Sequence, residues 1–212
     1  MADTNACLFV IAAPSGAGKT SLVKALVECS DDIEVAVSHT TREKRPDEQD
    51  GVNYHFVTLP KFKEIEQRDG FIEYAQVFGN LYGTSLEAVT PFIEAGINLV
   101  LEIDWQGAKQ IRQRMPASVS IFILPPSLQS LRNRLLDRAQ DDSETIEKRM
   151  DQAISEMSHF EEFDYLVVND DFDRACDQIR SITREEAPEL TLIRQKQNLA
   201  PLLAELLPSK QL

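Results

Sequence analysis

One short segment, Ala13-Pro14-Ser15-Gly16-Ala17-Gly18-Lys19-Thr20, constrains the fold more than any other part of this sequence. It follows the apolar run Leu8–Ala12 and opens a helix-like stretch that begins at Lys19. A glycine-rich turn with Gly-Lys-Thr between a strand and a helix is a P-loop, whose backbone N–H groups bind phosphates. Such loops usually begin with glycine, whereas Ala13 stands here at the strand end. The segment predicts an α/β fold that binds a nucleoside triphosphate.

The residues of the loop have separate chemical roles. Gly16 and Gly18 let successive N–H groups converge on the β-phosphate, and Lys19 reaches the β- and γ-phosphates. The Thr20 hydroxyl is expected to be a ligand of Mg²⁺. A second acid, Asp104, follows the apolar run Leu99–Ile103 and is expected to bind the metal through water. Asp104 also fits as the cap of the following helix, so the local sequence leaves both roles open.

The composition restricts the partners. The chain has 212 residues, of which 42% are hydrophobic, enough for one core with smaller lobes attached. Its formal net charge of -13 argues against general binding of nucleic acid or of an anionic membrane. Three scattered cysteines, Cys7, Cys29 and Cys176, and an N-terminus without a basic region are typical of a cytoplasmic protein. The sequence leaves both a monomer and a homo-oligomer open.

Alternating apolar runs and helix-like segments predict a parallel sheet flanked by helices, the core of a P-loop NTPase. The expected strands are Leu8–Ala12, Glu34–Ser38, Leu99–Ile103, Val119–Leu124 and Tyr165–Val168. The expected helices are Lys19–Cys29, Leu86–Ala95, Gln106–Met115, Leu128–Arg138 and Phe172–Glu186, with a helical tail from Thr191. This core comprises residues 1–37, 86–125 and 161–212.

Two segments depart from the alternation. Residues 38–85 predict a small mixed lobe with short strands, a helix near Lys61–Arg68 and a hairpin that turns at Gly79-Asn80. Residues 126–160 predict two charged helices joined by a polar loop. We expect this second segment to form a mobile lid, because few of its residues are apolar.

The lobe concentrates positive charge in an otherwise acidic chain. Its segment Ser38-His39-Thr40-Thr41-Arg42-Glu43-Lys44-Arg45-Pro46 includes two arginines whose forked donors suit a monophosphate, although loop arginines are often only solvated. Further motifs are Phe71-Ile72-Glu73, Tyr82-Gly83-Thr84, Glu102-Ile103-Asp104-Trp105-Gln106-Gly107 and Val168-Asn169-Asp170-Asp171. Together with the P-loop, these motifs make the sequence resemble the guanylate kinase family over nearly its whole length.

The resemblance implies a nucleoside monophosphate kinase, an ATP:GMP phosphotransferase with Mg²⁺ as cofactor, that acts on GMP and on dGMP. It implies that the GMP phosphate is held by Arg42, Arg45, Tyr54 and Tyr82. Glu73 would accept hydrogen bonds from guanine N1–H and the 2-amino group. The remaining GMP contacts implied by the resemblance come from Ser38, Thr84, Glu102 and Asp104.

For ATP, the resemblance implies that the phosphates bind residues 13–20 and that the adenine lies near Asn169. It assigns catalysis to Lys19, Asp104, Arg134, Arg138 and Arg149. The three arginines would neutralise the transferred phosphoryl group, but they also fit ion pairs on the helix surface with Asp137 and Glu147. Arg138 is followed by Ala139, where the family commonly has glycine, and this departure concerns the hinge of the lid.

Two other functions stay open. A guanylate-kinase-like interaction module would bind phosphopeptides without catalysis, but such modules typically have degraded P-loops, whereas Lys19 and Thr20 are intact here. A related kinase of another phosphorylated acceptor, such as a ribose phosphate, would share the P-loop. That kinase would have no use for Glu73, Ser38 and Thr84.

Overall fold

The computed structural model describes residues 6–77, 79–138 and 143–208, except for the side chains of residues 137, 138, 143 and 144. Its strands are β1 (Leu8–Ala12), β2 (Ile33–Val35), β3 (His39–Thr40), β4 (His55–Phe56), β5 (Phe71–Val77), β6 (Asn80–Ser85), β7 (Asn98–Glu102), β8 (Val119–Leu124) and β9 (Tyr165–Val168). Its helices are α1 (Lys19–Glu28), α2 (Leu59–Gln67), α3 (Leu86–Glu94), α4 (Trp105–Arg114), α5 (Leu128–Arg138), α6 (Ser143–Met157), α7 (Phe172–Thr183), α8 (Leu192–Asn198) and α9 (Ala200–Leu206).

The strands form two sheets, and the chain divides into two compact units. The larger sheet has the order β2-β7-β1-β8-β9, with parallel pairing of β2 to β7 and of β8 to β9. The smaller sheet has the order β4-β3-β6-β5. The first unit comprises Met1–Val10 and Ser30–Val119, and the second comprises Ile11–Cys29 and Ser120–Leu212. The predicted α/β fold with a parallel sheet flanked by helices is confirmed, whereas the division into core, lobe and lid stays a prediction.

In the first unit, the small sheet places Glu73 opposite Thr84. Strands β5 and β6 form the predicted antiparallel hairpin, which turns at Gly79 with a positive φ of 79°. The register shifts between Phe71 and Glu73, which is a β-bulge. A bulge redirects the side chains that follow it, and here Glu73 becomes the direct cross-strand partner of Thr84. Phe71 joins Phe62 of α2 in the buried core below the hairpin.

In the second unit, the segment of α5 and α6 has more apolar packing than its composition indicates. Its buried residues are Leu131, Leu135, Ile146, Met150, Ala153 and Met157. They recur three or four positions apart, so each helix has one apolar stripe between charged faces. Our premise that few apolar residues hold this segment was therefore wrong, because an average over the segment hides a narrow stripe. The loop 139–142 lies outside the described residues.

Some predicted boundaries differ from the structure. The strand expected at Glu34–Ser38 is only Ile33–Val35, because the chain leaves the larger sheet and enters the smaller one at β3. Helix α7 ends three residues early, where Glu185 has a positive φ of 60°. The tail from Thr191 is helical as predicted and consists of α8 and α9, with Pro201 in the first turn of α9. Within the described ranges, no helix is long and apolar enough to cross a bilayer.

Candidate active site

The predicted P-loop connects β1 to α1. Gly16 and Gly18 both have positive φ, 89° and 92°, which disfavours any residue with a Cβ. Gly18 is also the N-cap of α1, and a Cβ at this position would lie 2.5 Å from Asn169 Nδ2. Lys19 and Thr20 are the first two residues of α1, so their backbone N–H groups stand at the positive end of the helix dipole. This geometry suits the binding of phosphate.

Asn169 and Arg134 bind the main chain of this loop. The Nδ2 atom of Asn169, which is buried, donates to Ala17 O at 2.7 Å. Arg134 donates to Ala17 O at 3.3 Å and to Asn169 O at 2.9 Å. The structure thus brings both predicted residues to the P-loop through backbone contacts. Their roles toward ATP stay predictions.

A cavity of about 440 Å³ adjoins these contacts. Its lining residues are Gly16, Gly18, Ser21, Arg134, Asn169, Asp170 and Phe172. Phe172 is 43% exposed at the start of α7, and our reading of the sequence did not single it out. An exposed aromatic ring beside a polar cavity suits a planar ligand that can stack on it. The signal in the sequence was an aromatic residue directly after the Asp170-Asp171 pair.

The other two arginines predicted to neutralise the transferred group also lie in the second unit. Arg149 is half-buried on α6, and Arg138 is the last residue of α5, with its side chain outside the described part. Glu147, an alternative partner for those arginines, pairs with Arg132 at 2.6 Å. A further contact that we did not foresee joins the loop to α6, since Ser15 N–H donates to Glu156 Oε2 at 3.0 Å.

In the first unit, three predicted base-contact residues form a buried hydrogen-bonded group. Thr84 Oγ1 donates to Glu73 Oε1 at 2.6 Å, and it lies 2.9 Å from Ser38 Oγ. Glu73 is 3% exposed, Thr84 is fully buried and Ser38 is 7% exposed. Glu73 is therefore not a solvated strand residue. A buried carboxylate is costly unless it has polar partners, so this position is typical of a specific ligand contact.

Arg42, Tyr54 and Tyr82 lie together in the same unit. The guanidinium carbon of Arg42 is 5.6 Å from the centroid of the Tyr54 ring, and the rings of Tyr54 and Tyr82 are 5.9 Å apart. Burial raises the pKa of Tyr54, and the charge of Glu102 raises it further. The Tyr54 phenol therefore stays protonated and can donate its O–H to an anion.

Glu48, which we did not single out from the sequence, organises the two arginines predicted to bind the acceptor phosphate. Arg42 Nη2 donates to Glu48 Oε1 at 2.7 Å, and the Arg45 backbone N–H donates to Glu48 Oε2 at 2.9 Å. The hydrogen bond to Glu48 raises the pKa of Arg42. Burial would raise the pKa of Glu48, but the hydrogen bonds from Arg42 and Arg45 leave it below its usual value. The side chain of Arg45 is 72% exposed, so Arg42 is the more firmly placed arginine.

Asp104 has the capping role that the sequence left open. Its Oδ1 accepts from Gly107 N–H at 2.9 Å, and its Oδ2 accepts from Gln106 Nε2 at 2.9 Å. Each carboxylate oxygen keeps a further lone pair, so a metal-bound water also fits. Carboxylate and hydroxyl oxygens, as in Asp104 and Thr20, are donors of the kind that Mg²⁺ prefers. In the part of the chain that the structure describes, no group of three or more His, Cys, Asp or Glu is placed to hold a metal ion.

Comparison with known proteins identifies the family. The sequence model of the family described as guanylate kinase matches residues 5–186. The chain belongs to the guanylate kinase family. It is 53% identical over 207 residues to a guanylate kinase of Pseudomonas fluorescens (strain Pf0-1), covering 98% of this chain and 100% of the relative.

The chain is also similar to a second curated guanylate kinase and to a guanylate kinase of known structure. The guanylate kinase of Escherichia coli (strain K12) is 52% identical over 202 residues, which cover 94% of this chain and 97% of the relative. A crystal structure of guanylate kinase from Anaplasma phagocytophilum is 32% identical, covers 95% of each chain and has a TM-score of 0.73. The resemblance drawn from the motifs is confirmed.

Proposed function

We propose that this chain transfers the γ-phosphoryl group of ATP to GMP and releases ADP and GDP, and that Glu73 selects the base. Membership of the guanylate kinase family supports the reaction. The observation that carries the choice of base is the buried group of Glu73, Thr84 and Ser38. Guanine presents N1–H and a 2-amino group, both donors, to a carboxylate.

Adenine has neither of these donors, so its binding would leave the Glu73 carboxylate buried without ligand partners. A site built to hydrogen-bond one ligand rejects an analogue that lacks the donors by roughly 10⁴-fold. Deoxyribose does not alter the base, so we propose that dGMP is also a substrate. A kinase of a ribose phosphate would gain nothing from this buried carboxylate.

For the acceptor phosphate, we assign binding to Arg42, Arg45, Tyr54 and Tyr82. Arg42 supplies a fixed guanidinium and the exposed Arg45 supplies a second cation. The two phenols donate O–H bonds without adding charge. Together they bind one phosphate in a chain whose net charge is strongly negative.

For ATP, we assign the phosphates to the backbone of residues 13–20 and to Lys19. We assign the adenine to the cavity lined by Asn169 and Phe172, where its ring can stack. Thr20 would bind Mg²⁺ directly, and Asp104 would bind it through water. When bound, the ion neutralises phosphate charge. The location that we propose is the cytoplasm, where ATP and GMP are available.

The chemistry needs no covalent enzyme intermediate. An oxygen of the GMP phosphate attacks the γ-phosphorus, the bond from that phosphorus to the bridging oxygen breaks, and ADP leaves. The protein must bring two anions together, exclude water and neutralise the transferred group. We assign the neutralisation to Lys19, Arg134, Arg138 and Arg149.

A coupled assay of ADP release tests this function, with ATP offered against GMP, dGMP, AMP, CMP and UMP. We expect turnover with GMP and dGMP only. Glu73→Gln should raise KM for GMP roughly 10- to 100-fold, as expected for loss of a charge-assisted hydrogen bond, and leave KM for ATP unchanged. Glu64→Gln is the matched control, because Glu64 is an exposed glutamate on α2 that pairs with Lys61. Unchanged selectivity in Glu73→Gln would exclude Glu73 from base recognition.

Binding of ATP–Mg²⁺ separates the enzyme from a non-catalytic module. Isothermal titration should show binding to the wild-type chain and its loss in Lys19→Met. A chain that binds GMP but neither binds ATP nor releases ADP would be an interaction module.

A further inference from the structure

Helix α4 lies along β5 through polar side chains on one of its faces. Each reaches a main-chain group of β5: Gln106 Nε2 donates to Gln76 O at 3.4 Å, Gln110 Nε2 donates to Tyr74 O at 2.7 Å, and Arg114 Nη1 donates to Phe71 O at 2.7 Å. Gln110 Oε1 also accepts from Tyr74 N–H at 3.2 Å. The spacing of four residues puts the three side chains on one helix face. The Gln110 amide therefore holds both polar groups of the residue that follows Glu73.

Gly107 lies on the same helix, against the Glu73 carboxylate. A Cβ at Gly107 would be 2.4 Å from Glu73 Oε2 and 3.1 Å from its carboxyl carbon. Atoms do not approach this closely without displacement, so the carboxylate occupies space that exists because residue 107 lacks a side chain. The opposite oxygen, Oε1, is the one that accepts from Thr84. The carboxylate is thus confined between Thr84 on one side and α4 on the other.

We propose that α4 is the positioning element for base selection, with Gly107 and Gln110 as its positioning residues. Gly107 leaves the space for the Glu73 carboxylate, and Gln110 fixes the main chain beside it. Neither residue contacts the substrate, and both act through Glu73. The inference rests on the proposed role of Glu73 in binding guanine.

Replacing Gly107 by alanine should not disturb the helix itself. This glycine does not have a positive φ, so alanine fits its backbone conformation. Alanine is also the better helix former. The atom that must move is the end of a side chain rather than main chain. Gly107→Ala should therefore keep the fold and move the carboxylate.

The first experiment measures steady-state kinetics of Gly107→Ala. We expect KM for GMP to rise roughly tenfold or more, the loss expected when a charge-assisted hydrogen bond is misplaced, with KM for ATP unchanged. Discrimination against AMP should fall in parallel. The melting temperature and the Kd for ATP should match the wild type, and they verify that the variant is folded.

The second experiment replaces Gln110 by methionine, which has a similar length and cannot form either hydrogen bond. We expect Gln110→Met to raise KM for GMP severalfold at unchanged KM for ATP. Gln113→Met is the matched control, because Gln113 lies on the same helix and is exposed. Equal effects of the two substitutions would contradict the proposal.

A double-mutant cycle tests whether a shorter side chain at position 73 relieves the effect of Gly107→Ala. Glu73→Asp shortens the side chain and should weaken GMP binding by itself. Combined with Gly107→Ala it should lose less than the sum of the two single losses, because a shorter side chain meets the new methyl group less closely. Strict additivity of the two losses would overturn the positioning role. A wild-type KM for GMP in Gly107→Ala, together with a raised KM in Glu73→Gln, would also overturn it but would leave the proposed role of Glu73 intact. An unimpaired Glu73→Gln would refute the proposed role of Glu73, and this inference with it.

Discussion

The guanidinium of Arg42 is held by the carboxylate of Glu48, with Nη2 and Oε1 2.7 Å apart. Arg42 also donates through Nη1 to Glu43 O at 2.7 Å. The side chains of Arg42 and Glu48 are only 16% and 15% exposed, so this pair is better shielded from solvent than an ordinary surface ion pair. A donor with a fixed position loses less conformational entropy when a phosphate binds.

Glu48→Gln is accordingly expected to weaken GMP binding. Ordering one long side chain costs about 0.5–1.5 kcal/mol, so KM for GMP should rise roughly two- to twelvefold at nearly constant kcat. Glu43→Gln is the control, because its side chain is exposed and the carbonyl that Arg42 uses is retained. Tighter GMP binding in Glu48→Gln would show instead that Glu48 competes with the phosphate for Arg42.

Gly18→Ala should abolish the tight binding of ATP. The new methyl group would lie 2.5 Å from Asn169 Nδ2, in a residue with φ of 92°, and would separate Asn169 from the Ala17 carbonyl. We expect the Kd for ATP, measured by titration calorimetry, to rise by roughly 100-fold or more, as for loss of a preorganised phosphate site. Gly79→Ala is the control for backbone strain, because φ is 79° there and a Cβ would meet nothing within 4 Å. The prediction fails if both variants bind ATP equally well.

His39 should make the stability of the protein sensitive to acid. Its ring lies 4.7 Å from the His55 ring and 5.7 Å from Phe71. The pKa of His39 is lowered from 6.5 to about 4, mainly by burial and also by the charges of His55 and Arg68, while the charges of Glu87 and Asp50 oppose the shift. The unfolded chain therefore takes up this proton at a higher pH than the folded chain. The stability that the neutral His39 side chain contributes is fully present above pH 6.5 and is lost as the pH falls toward 4.

The test is the free energy of unfolding in urea as a function of pH. Between pH 6.5 and 4, the wild type should lose more stability than His39→Gln. Equal slopes in the wild type and His39→Gln would rule out His39 as the source.

Patterns of residues predicted the fold because each pattern has a local cause. The runs Leu8–Ala12, Val119–Leu124 and Tyr165–Val168 became strands with the predicted ends, since they consist almost entirely of apolar residues. The hairpin at Gly79 was also foreseeable, because its turn needs a positive φ. The apolar stripes of α5 and α6 were missed because their charged neighbours dominate the average.

The motifs predicted which residues gather at the candidate site, but not how they are supported. Glu73 faces Thr84 because of a bulge in β5, and the alternation of residues around it gives no sign of that bulge. Glu48 was overlooked because an acid in a polar loop has no local signal for its partner. Asp104 could not be decided from the sequence, because a helix cap and a metal contact need the same residue type.

The polar face of α4 has a second consequence. Strand β5 is at the end of its sheet, and an uncovered strand there can pair with a strand of another molecule. Gln106, Gln110 and Arg114 occupy main-chain groups that such a strand would use. With the positioning role that we propose for Gln110, this one side chain would both protect the edge of the sheet and support base selection, so selection for either property would also constrain the other.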